Sequence, residues 1–426
     1  MKKHFLSSLL VVVAFVSAGY AQKAQPAKAS PEEAAIRRTI SYLTADKLEG
    51  RRTGEPGATE AGTYLAKQFA AIGLRPAFTD KGKRTYLQPF PYKEVTGYNV
   101  VGVLPGRDAK LKKEAIVIGA HYDHLGRGGE GSLAANSTEI HHGADDNASG
   151  TAAMLELARL FAKERSNART FIFIAFSGEE EGLFGSKYYV NNPVVPVEDT
   201  IAMINLDMVG RLHDGKLNIG GIGTAAEWKA LVENLNKGAA NSAAHDANSL
   251  PFTLQLTEDG FGPSDHSSFY TKKIPVLFFF TGTHLDYHKP TDTAEKINYA
   301  GELSIMNYIR TIAKAIDRSP KRPTYEVAKS SGTSGGRSGF KVTLGTIPSY
   351  TDATDGLVID GVRDDSPAAH AGLKGNDKIV GLAGIEVKTI QDYMKALNEM
   401  EPGKEYEIIV LRGAERLTFK ITPEKR

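Results

Sequence analysis

The stretch TFIFIAFSGEEEGLFGS, residues 170–186, determines how the rest of the chain is interpreted. Its first seven residues are apolar and rich in Ile and Phe, which is typical of a strand buried on both faces. The run ends at Phe176, and three consecutive glutamates, Glu179, Glu180 and Glu181, follow after Ser177 and Gly178. Such carboxylates can lie in a solvated loop, favour the start of a helix, ligate a metal or act as a general base. The neighbouring segments are needed to choose between these possibilities.

Similar apolar runs alternate with amphipathic helices over most of the chain. This alternation predicts a mainly parallel sheet covered on both faces, with ligands at the carboxyl ends of the strands. The other predicted strands are YNVVGVL (98–104), EAIVIGAHYD (114–123), TIAMINLDMVG (200–210) and IPVLFFFTG (274–282). A first helix is predicted to begin at Ser30, and further helices are predicted at 58–74, 149–164, 182–192 and 302–317.

The overall composition excludes several classes of protein. The 52 basic and 50 acidic residues of the 426 nearly cancel, so no net charge directs the chain to nucleic acid or to an anionic membrane. The chain has no cysteine, so its stability does not depend on disulfides. Any metal site must therefore be built from histidines and carboxylates.

The N-terminus and the composition divide the chain into four parts. Residues 1–21 have a basic start, an apolar stretch and small residues before Ala21, which predicts a cleaved signal peptide and a periplasmic or secreted protein. The alternative is a membrane anchor, but the apolar stretch is shorter than the roughly 20 residues of a spanning helix. A catalytic domain is predicted at 31–318, a linker rich in Pro, Gly and Ser at 319–338, and a small separate domain at 339–424.

Histidines and carboxylates follow most of the predicted strands. Each alone has an ordinary explanation, since a strand-end histidine is usually a surface residue and an acidic pair before a helix is usually a cap. Together they would repel one another at one sheet edge unless a cation is bound, and mixed imidazole and carboxylate ligands suit zinc. These residues are His121, Asp123, His124, His141, His142, Asp145, Asp146, Glu179, Glu180, Glu181, Asp207, His284, Asp286, His288 and Asp292.

The ordered segments HYDHLG, GADDNASG, SGEEEGLFGS, NLDMVGR and YHKPTDT resemble the zinc-dependent aminopeptidase family. That family includes secreted bacterial leucyl-type aminopeptidases, with glutamate carboxypeptidase and the transferrin receptor as distant relatives. The resemblance covers roughly residues 35–315. It implies an α/β three-layer sandwich with a central mixed, mostly parallel sheet, so the edges of the sheet are expected to be antiparallel.

The resemblance also implies two zinc ions per chain. His121 and Asp207 would hold one ion, Glu180 and His288 the other, and Asp146 would bridge them. The adjacent Asp145 occupies a position where relatives also carry asparagine, so it is not an implied ligand.

Further roles are implied beside the ligands. Glu179 matches the general base of the family, and Asp123 matches the acid that orients the imidazole of His121. Asp292 is either a similar supporting acid or a turn former, and Tyr287 either contacts the oxyanion of the transition state or only packs. Asp265 and His266, in GPSDHSS, also recur in relatives near the substrate pocket, with no role assigned. Glu181 is expected to be a solvated charge at the start of a helix.

The C-terminal segment resembles a bacterial PDZ domain, an α+β fold, through SPAAHAGLKGND (366–377). The resemblance implies that Leu344, Gly345, Thr346 and Ile347 form the loop whose backbone amides bind a peptide carboxylate. The alternative is a PDZ domain that only packs on the catalytic domain. His370 is expected to lie on the surface.

The function implied by the resemblance is hydrolysis of the N-terminal peptide bond of peptides with a free N-terminus. Three alternatives stay open: a related zinc hydrolase, a glutaminyl cyclase on the same scaffold, and a catalytically inactive peptide-binding protein. A cyclase is disfavoured because both zinc sites look complete, and an inactive protein is disfavoured because all five ligands and Glu179 are present.

Overall fold

The structure of the chain is a computed structural model. The model describes residues 29–129, 131–134, 137–240, 251–328, 342–348, 355–363 and 365–425. The predicted signal peptide and residues 329–338 of the predicted linker lie outside these ranges. No helix in them is long and apolar enough to cross a membrane.

The N-terminal part of the described chain is built on one mixed sheet. Its strand order is β1-β5-β7-β6-β8-β11-β9-β10, and β4 also pairs with β5. The central strands β7, β6, β8 and β11 are parallel, whereas β5 and β9 run antiparallel to their neighbours β7 and β11. A separate hairpin is formed by β2 and β3. The strands are β1 Arg75–Pro76, β2 Phe78–Asp80, β3 Lys83–Thr85, β4 Leu87–Tyr92, β5 Val95–Leu104, β6 Ala115–His121, β7 Thr170–Phe176, β8 Thr200–Leu206, β9 Lys216–Gly220, β10 Thr253–Leu256 and β11 Val276–Phe280.

Helices cover both faces of this sheet. On one face, Ile116 and Phe173 pack in a core with residues of α1, α2, α3 and α7, while on the other face Ile172 packs with residues of α4 and α6. The predicted three-layer α/β sandwich with a mixed sheet is confirmed. The helices are α1 Pro31–Leu43, α2 Pro56–Ile72, α3 Gly150–Glu164, α4 Phe184–Asn191, α5 Trp228–Ala240, α6 His266–Tyr270 and α7 Tyr299–Arg318.

Local sequence signals explain several element boundaries. The Ser30 hydroxyl accepts a hydrogen bond from the Glu33 amide (3.0 Å) and caps α1, and Gly73 ends α2 with φ +86°. The peripheral strands β1, β4, β9 and β10 were not predicted. In β4, LQPFPY, two prolines remove ladder donors, and the strand lies off the main path of the sheet, where such losses are tolerated.

The expectation for Glu181 is wrong. Helix α4 begins only at Phe184, so Glu181 lies in the preceding turn. Its side chain is 6% exposed and lies 2.7 Å from the Arg52 guanidinium. The carboxylate is therefore stabilised by an ion pair and is not a solvated charge at the start of a helix.

The C-terminal part forms a second small unit around its own core, which contains Leu344, Ile359, Ile379 and Val410. Its short helix α8 is capped by Ser366, whose hydroxyl accepts from the Ala369 amide. The elements are β12 Val342–Thr343, β13 Thr346–Pro348, β14 Leu357–Val362, α8 Pro367–Ala371, β15 Lys378–Leu382, β16 Ile385–Glu386, α9 Ile390–Glu399, β17 Tyr406–Arg412, β18 Glu415–Ile421 and β19 Glu424–Lys425.

Candidate metal centre

The central parallel strands deliver their following residues to one edge of the sheet. His121 is the last residue of β6, and Asp207 follows β8 directly. Glu179 and Glu180 come shortly after β7. The structure brings these side chains together with Asp146, from the turn before α3, and with His288, from the loop after β11.

One group of ligand atoms surrounds the imidazole of His121. Its Nε2 atom lies 3.4 Å from Asp146 Oδ1 and 3.4 Å from Asp207 Oδ1. Asp207 Oδ1 is buried and has no hydrogen-bond partner among the described residues, whereas Asp207 Oδ2 accepts from the Ser264 hydroxyl at 2.7 Å. Glu179 Oε2 is slightly farther from His121 Nε2, at 3.9 Å.

A second group surrounds Glu180. His288 Nε2 lies 3.2 Å from both Glu180 Oε2 and Asp146 Oδ2. His124 Nδ1 lies 2.6 Å from Glu180 Oε1, so the structure adds a second imidazole to this group. The two oxygens of Asp146 therefore face different groups, which is the position expected of a bridging carboxylate.

The pKa values in this region are strongly displaced. Burial lowers the pKa of His121, but the carboxylates of Asp207 and Glu179 outweigh it and raise that pKa well above its usual range. Burial raises the pKa of Glu179 well above its usual range, and the charge of Glu180 adds to the effect. Burial also acts to raise the pKa of Asp146, yet hydrogen bonds with His121 and His288 hold it well below its usual range. Without a cation, the cluster balances its negative charge with protons.

The donor set fits a zinc centre. Ligand atoms of His121, Asp146 and Asp207 lie within 4.8 Å of one another, as do those of His124, Asp146 and Glu180. Imidazole nitrogens and carboxylate oxygens are zinc ligands, and the orphaned oxygen of Asp207 is left for a cation to satisfy.

Two buried acids support these groups. Nδ1 of His121, the nitrogen facing away from the cluster, is hydrogen-bonded to the main-chain carbonyl of Asp123 at 3.3 Å, and the Asp123 carboxylate lies 3.7 Å from the same nitrogen. Burial raises the pKa of Asp123 to about 6. Asp292 Oδ2 accepts hydrogen bonds from the amides of Asp145 (2.8 Å) and Asp146 (3.1 Å). Asp292 thus fixes the backbone of the bridging residue and does not orient an imidazole.

A cavity of about 590 Å³ opens from the cluster. Glu179 and Tyr287 line it, and the Tyr287 ring stacks on the His288 ring with centroids 3.8 Å apart. His266 also lines the cavity, stacks on Phe278 at 4.4 Å, and has a pKa lowered by burial to about 3, so it is a neutral wall residue. Asp265 is fully buried behind this wall.

The family model of Peptidase family M28 matches residues 99–313, which include strands β6 to β11 and all the residues of the cluster. The chain belongs to peptidase family M28. In this M28 chain, residues 344–422 match the PDZ domain family, which confirms the predicted C-terminal module.

The M28 chain has relatives whose names state an activity. Leupeptin-inactivating enzyme 1 of Streptomyces exfoliatus is 28% identical over 68% of this chain and 60% of its own length. Aminopeptidase YwaD of Bacillus subtilis is 28% identical over 70% of this chain and 60% of its own length. The chain thus spans about 60% of these relatives. The structure of an aminopeptidase from Aneurinibacillus sp. strain AM-1 has a TM-score of 0.51 at 20% identity, covering 70% of this chain and 96% of its own, and shares the fold.

Sequence reasoning missed a residue that holds the M28 cluster from behind. The Arg51 guanidinium is fully buried and donates to four backbone carbonyls. One is the carbonyl of Tyr122 (2.7 Å), which is adjacent to His121. Two more are those of His142 (2.7 Å) and Gly143 (3.0 Å), which lie just before Asp146. The fourth is that of Leu43 (2.5 Å). Arg51 therefore ties together the chain segments that carry His121 and Asp146, two of the three ligands in the first group.

Thr53 performs a similar task for the glutamates. Its hydroxyl donates to Asp123 Oδ2 (3.0 Å), and it accepts from the amide of Gly178 (2.8 Å), directly before Glu179. No pattern in EGRRTG (49–54) distinguishes Arg51 from Arg52, which pairs with Glu181 instead. An arginine whose partners are backbone carbonyls leaves no pattern in the sequence by which it could be recognised.

The predicted carboxylate loop of the PDZ domain lies at the start of β13. The Gly345 amide donates to the Thr343 hydroxyl (3.2 Å), and Gly345 has φ +73°. The Thr346 hydroxyl lies 2.5 Å from the Tyr393 hydroxyl of α9. Leu344 is buried in the PDZ core, and Ile347 lies within β13. Peptide binding by this loop stays a prediction; His370 is exposed as expected.

Proposed function

We propose that this chain is an exported metallo-aminopeptidase that hydrolyses the N-terminal peptide bond of peptides. The observation that supports this most strongly is the position of Asp146, whose two oxygens face two separate groups of ligand atoms. In the proposed assignment, His121 and Asp207 hold one zinc ion, Glu180 and His288 hold a second, and Asp146 bridges them. His124, beside Glu180, would fix the orientation of that carboxylate.

Zinc bound in these positions supplies polarisation of the scissile carbonyl and a lower pKa for the attacking water. Glu179 lines the cavity beside the ligands, and we assign it the proton transfer. Its raised pKa moves it towards the range in which a carboxylate can take the proton of the water and give it to the leaving amine. We also assign Tyr287, which lines the same cavity, to contact with the substrate carbonyl.

The substrate class follows from the charge of the site. A free α-amine of a peptide is positively charged or a strong donor, and it would meet the carboxylates of Glu179, Glu180 and Asp207 that line the cavity. This explains a preference for the first residue of a chain. The predicted signal peptide places the enzyme in the periplasm or outside the cell, and fractionation of the native host tests that placement.

Hydrolysis of matched free and N-acetylated aminoacyl anilides tests the proposal. We expect cleavage of the free substrates only, and loss of that cleavage in Glu179→Gln. Cleavage of blocked substrates would indicate a different zinc hydrolase, and cyclisation of N-terminal glutamine without hydrolysis would indicate a cyclase. Binding of peptides without turnover would indicate an inactive receptor.

A further inference from the structure

The strongest unassigned feature is an ion pair between the two domains. Arg363, which follows β14 in the PDZ domain, places its Nη2 atom 2.7 Å from Oδ2 of Asp259, which follows β10 in the catalytic domain. The side chains are 24% and 8% exposed. An ion pair this well shielded from solvent is less weakened by salt than a surface pair.

Asp259 is held firmly in the catalytic domain. Its Oδ1 atom accepts from the amide of Phe261 at 2.9 Å, and its carbonyl accepts from the amide of Gly221 at 2.9 Å. The ring of Phe261 packs edge-on against Tyr270, with centroids 4.6 Å apart. The Arg363 guanidinium also lies 5.5 Å from the centre of the Phe261 ring. Arg363 therefore contacts a rigid segment through both a charge and an aromatic face.

This segment separates two cavities. Asp259 and Phe261 line the 590 Å³ cavity that contains Glu179 and Glu180. They also line a second cavity of about 260 Å³ between the domains, whose PDZ side includes Gly345 and Arg363. The wall of the substrate cavity is thus contacted from behind by the PDZ domain.

The electrostatic consequence concerns the substrate cavity. Without Arg363, the Asp259 carboxylate adds an uncompensated negative charge to a cavity that already contains the acidic cluster. Without Asp259, the guanidinium of Arg363 leaves an uncompensated positive charge directly behind the same wall. With both present the two charges cancel, and this part of the wall combines aromatic residues such as Phe261 and Phe278 with uncharged polar residues such as Gln255.

We propose that the PDZ domain sets the charge specificity of the substrate cavity through the Arg363–Asp259 ion pair. Arg363 suppresses a preference for basic side chains and adapts the cavity to peptides with uncharged side chains. This inference rests on the proposed function, because it assigns the cavity to peptide substrates. It gives the PDZ domain a role in substrate selection that does not require a peptide in its own binding loop.

The test compares Arg363→Gln, Asp259→Asn and the double variant with the wild type. Arg416→Gln is the matched control, because Arg416 is exposed on β18 of the same domain. The substrates are tripeptide amides that carry Lys, Leu or Glu at the first or the second position. The measured quantity is, at each position, the kcat/KM of the Lys peptide divided by that of the Glu peptide.

We expect Arg363→Gln to raise this ratio about two- to fivefold at one of the positions, and Asp259→Asn to lower it by a similar factor. The double variant and Arg416→Gln are expected to keep the wild-type ratio. Opposite shifts from the two single variants cannot come from a general loss of structure. Equal ratios in Arg363→Gln and Arg416→Gln, or shifts in the same direction in both single variants, would overturn the proposal.

A binding measurement separates this inference from the proposed function. If the wild type hydrolyses none of the peptides, the proposed function fails. Calorimetric Kd values for the same peptides, measured with zinc-loaded Glu179→Gln and its Arg363→Gln and Asp259→Asn derivatives, then decide the inference. The same opposite shifts in the Lys to Glu ratio would support it, and absent or equal binding would overturn it.

Discussion

Asp377 in the PDZ domain and Asp146 at the edge of the catalytic sheet are both buried carboxylates, but their surroundings differ. Asp377 accepts two hydrogen bonds from Arg412 (2.7 and 2.8 Å) and one from the amide of Lys374 (2.8 Å). Its charge is balanced by a group that is always cationic. Asp146 has ion-pair contacts to three histidines, which carry charge only when protonated.

The same contrast applies to the whole sheet edge. Glu180 and Asp207 also have ion-pair contacts only to histidines among the described residues, and the nearby cation Arg51 donates to backbone carbonyls. A buried carboxylate that is paired with arginine is complete in itself. One that is paired with histidines depends on a proton or a metal, and this difference identifies the sheet edge, and not the PDZ pair, as the place for a cation.

The largest expected effect is that of Asp146→Ala. Because both groups of ligand atoms share this residue, we expect the variant to bind neither zinc ion and to lose activity below detection. Metal analysis and anilide hydrolysis measure the two effects. Glu181→Gln is the matched control. Glu181 is next to Glu180 in the sequence but pairs with Arg52, so this substitution is expected to leave the metal content unchanged. Full zinc content in Asp146→Ala would remove the bridging assignment.

The next effect is that of Glu179→Gln. A general base contributes roughly 10²- to 10⁴-fold to the rate, so kcat is expected to fall by that factor while zinc content stays at the wild-type level. Steady-state kinetics and metal analysis of the same sample test this. A loss of zinc in parallel with kcat would mean that Glu179 is a ligand and not the base.

Arg51→Met has a smaller expected effect. The substitution keeps part of the buried volume but removes the guanidinium donor from four carbonyls, which weakens the connection between the segments carrying His121 and Asp146. Supporting residues of this kind typically change metal affinity about 10- to 100-fold. Competition with a chelator measures the affinity, with Arg52→Met as the neighbouring control. Equal affinities in the two variants would show that Arg51 contributes only to folding.

The smallest effect on activity is expected from Arg412→Gln in the PDZ domain. Burial raises the pKa of Asp377, but the hydrogen bonds from Arg412 outweigh it and lower that pKa below its usual range. The pair therefore stabilises the domain above about pH 4, and this contribution is lost as the pH falls through the lowered pKa. At pH 7 the substitution is expected to lower the denaturant midpoint of the PDZ domain, with zinc content unchanged. Denaturant unfolding at pH 7 and at pH 3 measures this; an equal loss at both values would exclude the ion pair as the cause.

The convergence of the site residues could be predicted from strand direction. His121, Glu180 and Asp207 each follow an apolar run, and parallel strands bring their carboxyl ends to one edge. Their assignment as ligands came from the family resemblance. The second imidazole at Glu180, His124, was recognised as a strand-end residue but not as a neighbour of that glutamate. Its position depends on the turn after β6, which periodicity does not describe.

Other features depend on contacts that leave no pattern in the sequence. Arg51 acts through backbone carbonyls, and Thr53 acts through a backbone amide and the Asp123 carboxylate; any donor or acceptor of the right length suffices for such contacts. The Arg363–Asp259 pair depends on how the two domains pack, and neither residue belongs to a motif. Strand β4 was missed because its two prolines oppose strand formation, and its pairing with β5 outweighs that local preference.

The central claim is that the buried carboxylates and histidines at the sheet edge hold two metal ions. Its most direct test is the zinc content of the purified protein, measured by mass spectrometry while the metal-free protein is titrated with zinc and assayed for anilide hydrolysis. We predict that activity rises to a plateau at about two zinc ions per chain. Full activity at under about one zinc ion per chain would contradict the account.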